Sequence, residues 1–230
     1  MQNTPRWVRR LDGTPFITYA LLAITIIVFA LETLAGGSES VTVLIRFGAR
    51  YNTAIWMGEW WRFITPIFLH IGLTHILMNG LTLYFLGVLC EQVFGHWRFL
   101  TIYLVSGIAG NVASFVFNPD VVSAGASTAL FGLMGAFLLL GDTFRHQPQV
   151  GAVARQFAVF AAINLIFNLF SSSVDIYGHI GGLIGGFLIA GLLGAPNIGE
   201  MPRWRQVISG VFLIGVLGFL LHFGYTQALL

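Results

Sequence analysis

Seven apolar runs divide this chain, and they leave it few folds to adopt. They cover residues 16–34, 74–93, 99–117, 127–140, 157–169, 176–193 and 207–223. A helix needs about 20 mostly apolar residues to cross the hydrocarbon core of a bilayer. Lipid offers no partner to a free N–H or C=O, so a spanning segment must pair its own backbone, as a helix does. The fourth and fifth runs look short, as spans shielded by their neighbours can be. Charge content agrees: 9% of the 230 residues are charged and 57% are hydrophobic, where a soluble domain carries about 25% charged residues. The predicted fold is all-α, a polytopic membrane helical bundle whose surface faces the lipid bilayer.

Arginine placement orients the spans. The formal charge of +2 rests on 11 basic residues, all arginine and scattered at the ends of the apolar runs, so no basic face exists for nucleic acid. Arg6, Arg9 and Arg10 precede the first span, and Arg98 follows the second. Arg145 and Arg155 flank the fourth-to-fifth connection, and Arg203 and Arg205 precede the seventh span. These share one side, cytoplasmic by the positive-inside rule. The rule therefore predicts a cytoplasmic N-terminus and an extracytoplasmic C-terminus. Arg46, Arg50 and Arg62 fall on the other side, all in the first connection. The N-terminal residues do not read as a cleaved signal peptide, because the first run is long enough to stay as an anchor. The single cysteine, Cys90, lies in a span and forms no internal disulfide.

The first connection, about 35–73, is far longer than the others and carries Trp56, Trp60 and Trp61 beside its three arginines. Flat rings and guanidinium groups on long stems suit the membrane–water boundary, where each keeps one end wet. An interfacial anchor is expected, and a lateral substrate gate would use the same residues.

Polar side chains inside a membrane cost free energy, so their positions carry information. With this orientation the second, fourth and sixth spans run inward from the outer face. His70, His75 and Asn79 lie around the start of the second, Ser127 opens the fourth, and His179 opens the sixth. His75 and Asn79, four apart, share a helix face, as do Ser127, Phe131 and Gly135. Gly178, Gly182 and Gly186 form a small-residue stripe beside His179, and Gly132, Gly135 and Ala136 offer a matching surface on the fourth span. Such stripes let membrane helices approach backbone to backbone. If these two pack, Ser127 meets His179 at the outer end of the seam. A serine within hydrogen-bond reach of a histidine is the minimum for an activated nucleophile.

Other readings of these residues stay open on spacing alone. A serine in the small-residue run 123–129 is an ordinary helix-packing feature. His70, His75 and His179 would also suit zinc, although there is no His-Glu-x-x-His helix and no carboxylate close to His70 or His75. Asn79 is a poor zinc ligand and a good donor to an oxyanion, so neither a metal nor a cofactor is expected. Asp175 is a candidate third member of a triad, but a helix-start role suits it better beside Ser171, Ser172 and Ser173. Glu91, near the cytoplasmic end of the second span, reads as a structural bond to a neighbouring loop. A transporter would show charges in mid-span or paired broken helices, and the sequence has neither.

In this order the residues resemble the rhomboid intramembrane proteases. Trp61-Arg62 is similar to that family's first-loop dipeptide, and His70-x-x-x-x-His75-x-x-x-Asn79 to its second-helix motif. Gly87-x-x-x-Glu91 followed by Arg98-Phe99-Leu100 resembles the turn into its third helix. Gly125-Ala126-Ser127 resembles its nucleophile motif, and Gly178-His179-x-x-Gly182-x-x-x-Gly186 its sixth-helix histidine motif.

The resemblance implies a six-helix core at 16–194, after a cytoplasmic segment at 1–15 and before a linker and seventh transmembrane helix at 195–230. It implies a Ser–His dyad without an essential aspartate, in which Ser127 attacks the scissile carbonyl and His179 serves as general base, then general acid. The Ser127 N–H, His75 and Asn79 would hold the oxyanion with His70 in support, Phe131 would stack on His179, and Gly182 and Gly186 would serve helix packing. Substrates would be single-pass transmembrane proteins, cut near their outer ends after local unwinding. The 171–174 loop would cap the cavity, and the fifth span, with Phe160 and Phe167, would gate it. The short extramembrane parts suggest a bacterial plasma (inner) membrane. One position departs: the family motif ends in glycine where this chain has Thr128. A branched side chain there is expected to lower activity or to space the fourth and sixth helices more widely. The alternative is a catalytically silent relative that escorts transmembrane clients.

Overall fold

A computed structural model describes residues 13–171 and 174–229. Among them the chain forms α1 (Phe16–Leu34), α2 (Val41–Phe47), α3 (Asn52–Trp56), α4 (Gly72–Phe94), α5 (His96–Phe117), α6 (Ser127–Thr143), α7 (Pro148–Leu169), α8 (Ile176–Leu193) and α9 (Arg203–Thr226). The helices α1, α4, α5, α7, α8 and α9 are long and apolar enough to cross a membrane. The helix α6 is shorter, with 17 residues, so at 1.5 Å per residue it spans about 26 Å of a hydrocarbon core about 30 Å thick. It stands at the centre of the bundle, packed by α5, α7 and α8, and each residue from Thr128 to Phe137 is buried.

The fifth span differs from its prediction. It is not short: α7 starts at Pro148, at the head of the helix, and runs for 22 residues. Proline is pre-organised for a first helical turn, while Gln149, Arg155 and Gln156 lower the hydropathy of the first half and hide it.

The first connection is a folded layer carrying α2, α3 and two 3-10 turns. Two of its arginines do not snorkel as expected. Arg50 is 0% exposed and donates to Ser123 Oγ at 2.9 Å, Asn52 Oδ1 at 2.6 Å and the Val121 carbonyl at 2.5 Å. Burial pushes its guanidinium down to about 10, with the nearby Asp175 acting against that. Arg62 is also buried and donates to Glu59 at 2.7 Å and to the carbonyls of Ile45 and Ala49 at 2.9 and 2.8 Å. A guanidinium can leave water only where its donors find acceptors, and here irregular backbone supplies them. Trp60 and Trp61 stay exposed, as an interfacial anchor requires, and Arg46 is exposed too.

Opposite ends of the bundle carry different groups. Arg205 pairs with Asp142 at 2.9 Å, Arg145 also faces Asp142, and Arg98 Nε donates to the Leu193 carbonyl. These gather at the end opposite Ser127, whereas Arg50 and Arg62 lie at the Ser127 end. Arg6, Arg9 and Arg10 lie outside the described residues.

At the arginine-rich end, Glu91 of α4 accepts from Ile17 N at 2.9 Å, Thr18 N at 2.8 Å and Thr18 Oγ1 at 2.7 Å. The expected structural bond is therefore to the first turn of α1. That turn has free N–H groups and the positive end of the helix dipole, which a carboxylate satisfies. Glu91→Ala is expected to lower stability by about 2–3 kcal/mol, by leaving these buried donors unpaired. Thermal unfolding in detergent checks this, and Glu91→Gln should lose less.

Candidate active site

The seam between α6 and α8 is built from glycine. A Cβ on Gly186 would overlap the backbone of Gly132, one on Gly182 would overlap the Thr128 carbonyl, and one on Gly135 the Leu183 carbonyl. The two predicted stripes therefore meet backbone to backbone. A second stripe, unread in the sequence, faces α5: Gly181 and Gly185 lie against Ala113 and Ala109. Its signal was the small-residue series Ser106, Gly107, Ala109, Gly110 and Ala113 on α5.

This packing brings Ser127 Oγ to 2.8 Å from His179 Nε2. Phe131, one turn below Ser127, stacks on the His179 ring with centroids 4.3 Å apart and planes 16° from parallel. Gly125 makes the approach to Ser127 possible. Its φ of +144° lies in the region that favours glycine, and a Cβ there would press on the His75 ring. Its N–H donates to the Pro66 carbonyl at 2.9 Å, tying the nucleophile loop to the first connection.

The imidazole of His70 is fully buried, and its Nε2 accepts from Ala126 N at 3.4 Å. Burial, with His75 beside it, pushes His70 down to about 3. It is therefore neutral near pH 7 and free to accept. His75 Nδ1 accepts from Ile71 N at 3.4 Å, which leaves Nε2 to carry the ring proton of a neutral His75. Asn79 Nδ2 is a buried donor without a partner among the described residues, and Asn79 lines the same cavity as Ser127 and His179.

That cavity has a volume of about 540 Å³. The α7 face toward it is Phe160, Asn164 and Asn168, spaced four apart. Of the two predicted gate residues only Phe160 lines it, while Phe167 is 69% exposed outside the lining. Val174 also lines it; Ser172 and Ser173 of the predicted cap lie outside the described residues.

Asp175 caps α8 by accepting from Gly178 N at 3.2 Å, as its helix-start reading requires. It also accepts from Ser114 Oγ and, at 3.3 Å, from Asn118 Nδ2, and it faces Arg50 at 3.9 Å. The expected widening at Thr128 does not occur. Its Cβ and Cγ2 occupy the space left by Gly110, where a Cβ would meet them at 2.7 and 2.9 Å. Among the described residues no three His, Cys, Asp or Glu side chains group as metal ligands would.

Sequence reasoning missed Asn168. Its amide nitrogen lies 2.6 Å from His179 Nδ1, on the ring edge opposite Ser127. An asparagine near the outer end of an otherwise apolar span was the available signal.

Comparison with known proteins gives the family. Residues 57–196 match the rhomboid domain. The chain is 43% identical over 213 residues to the rhomboid protease GluP of Bacillus subtilis, covering 93% of this chain and 41% of that protein. It is 35% identical over 190 residues to the putative rhomboid protease YdcA of the same organism, covering 82% of this chain and 92% of the relative. It is 32% identical over 209 residues to rhomboid-like protease 1 of Toxoplasma gondii, covering 86% and 70%. Family match, relatives and a multi-pass helical bundle lead to one conclusion: the chain belongs to the rhomboid family.

Proposed function

We propose that this chain is an intramembrane serine protease that hydrolyses a peptide bond in or near the outer end of single-pass transmembrane substrates, using Ser127 and His179. The observation that carries the proposal is the 2.8 Å approach of Ser127 Oγ to His179 Nε2, beside a cavity able to hold water. Ser127 attacks the scissile carbonyl as His179 Nε2 takes its proton, and the imidazolium then protonates the leaving amine. Water from the cavity hydrolyses the acyl-enzyme by the same proton path in reverse.

The oxyanion is held by the Ser127 N–H, Asn79 Nδ2 and His75 Nε2. Ser127 opens α6, where the first N–H groups lack intrahelical partners, and the unpaired Asn79 amide supports the assignment. Asn79→Ala is expected to lower kcat about 100-fold with little change in KM, measured by steady-state cleavage.

The catalytic core is residues 16–194, with 1–15 cytoplasmic and 195–230 forming a linker and a seventh span. The chain sits in a plasma membrane with its C-terminus outside and the serine end toward the extracytoplasmic face. A helical substrate protects its own peptide bonds, so the segment to be cut must unwind first. Glycine or proline near the cut lowers that cost.

The test is a fluorophosphonate probe followed by cleavage of a transmembrane substrate reconstituted in lipid. Wild type is expected to be labelled and to cleave, and Ser127→Ala to do neither. An unlabelled, non-cleaving wild type would make the chain a silent binder of transmembrane clients.

A further inference from the structure

We propose that Asn168 is a positioning residue that holds His179 in the tautomer its role requires, so that the working unit is Ser127, His179 and Asn168. The inference rests on the Ser127–His179 reading above. For Nε2 to take the Ser127 proton, the neutral ring must carry its own proton on Nδ1. That Nδ1–H, on a buried ring stacked against Phe131, needs an acceptor. The Asn168 amide lies 2.6 Å from it.

A half-turn of the amide exchanges its oxygen and nitrogen, and only the oxygen-inward rotamer accepts from Nδ1–H. The nitrogen-inward rotamer would donate to Nδ1, force the proton onto Nε2 and leave Ser127 without a base. Phe131 fixes the plane of the imidazole, and Asn168 fixes its rotation within that plane. When the ring becomes imidazolium, the same carbonyl oxygen continues to accept from Nδ1–H. Asp175 is engaged elsewhere, by the α8 cap, Ser114 and Asn118. Unrelated cysteine proteases use asparagine in this role.

The experiment compares kcat, KM and the pH profile of kcat/KM for wild type, Asn168→Ala and Asn168→Asp on a reconstituted transmembrane substrate. Ser127→Ala and His179→Ala are measured in parallel. The titratable groups facing His179 are Asp175 at the start of its own helix and His75 from α4, and all these variants keep both. Asn168→Ala is expected to lower kcat about 10- to 100-fold, with KM within about twofold of wild type. Asn168→Asp is expected to recover part of that loss. It should also move the acid limb upward by about one pH unit, because a carboxylate favours the protonated imidazole, which cannot act as base.

Wild-type kcat and an unmoved acid limb in both variants would overturn the proposal. So would equal loss in both with no shift of the limb, the outcome of a merely structural side chain. Cleavage by Ser127→Ala or His179→Ala at the wild-type rate would instead sink the reading on which the proposal depends. Inactive dyad variants beside unchanged Asn168 variants would sink this inference alone.

Discussion

Replacing Ser127 or His179 by alanine is expected to lower kcat by at least about 10⁴-fold, with substrate binding within a few-fold of wild type. In the proposed mechanism the two side chains act as one device. Without Oγ no acyl-enzyme forms, and without the imidazole the hydroxyl must lose its proton to water at a far higher barrier. The double variant should therefore fall no further than the worse single variant, because the second removal takes away nothing the first left working. Ser127→Ala should hardly change stability, since it removes one partly buried hydrogen bond worth about 1 kcal/mol; His179→Ala should lower the melting temperature more, since it also removes the stack on Phe131 and the contact with Asn168. Single-turnover cleavage of a reconstituted substrate checks the rate, and either single variant retaining more than about 1% of wild-type kcat would contradict this unit behaviour.

Gly186→Val is expected to do the larger structural damage, destabilising the bundle by about 3 kcal/mol or more. A Cβ at this position would overlap the Gly132 backbone itself. A side chain in the way can rotate, but a backbone of the partner helix cannot, so α6 and α8 must separate. Separation at this seam also pulls Ser127 from His179, so fluorophosphonate labelling should fall together with the melting temperature. Gly178→Ala should be milder, since its nearest neighbour is the Thr128 methyl at 3.1 Å, and Gly151→Ala milder still, since a Cβ there meets nothing within 4 Å. Equal melting temperatures for the three variants would contradict the packing argument. Stability falling without loss of labelling would separate the seam from the site.

Much of the fold and the proposed dyad could be read along the chain. Hydropathy located the core of each span, though not the polar first half of α7, because a segment crossing the bilayer must be apolar over most of its length, and α8 falls where the pattern places it, at Ile176–Leu193. Spacing of three and four put His75 with Asn79 and lined up the glycines, because helix geometry turns sequence separation into direction. These are local facts, set by a few neighbouring residues and a uniform solvent.

Tertiary structure decided what depends on a partner far away in the chain. Arg50 looked like an interfacial anchor, and only the return of the 118–126 segment with its acceptors makes burial tolerable. Gly181 and Gly185 acquire a purpose only when α5 arrives at their face, and the Thr128 side chain fits only because Gly110 and Gly178 leave it room. Asn168 sits 11 residues from His179 on another helix, so no periodicity links them. A sequence sets which way each side chain leaves its own helix, but which groups then meet depends on how helices cross, and that is settled by the packing of the whole bundle.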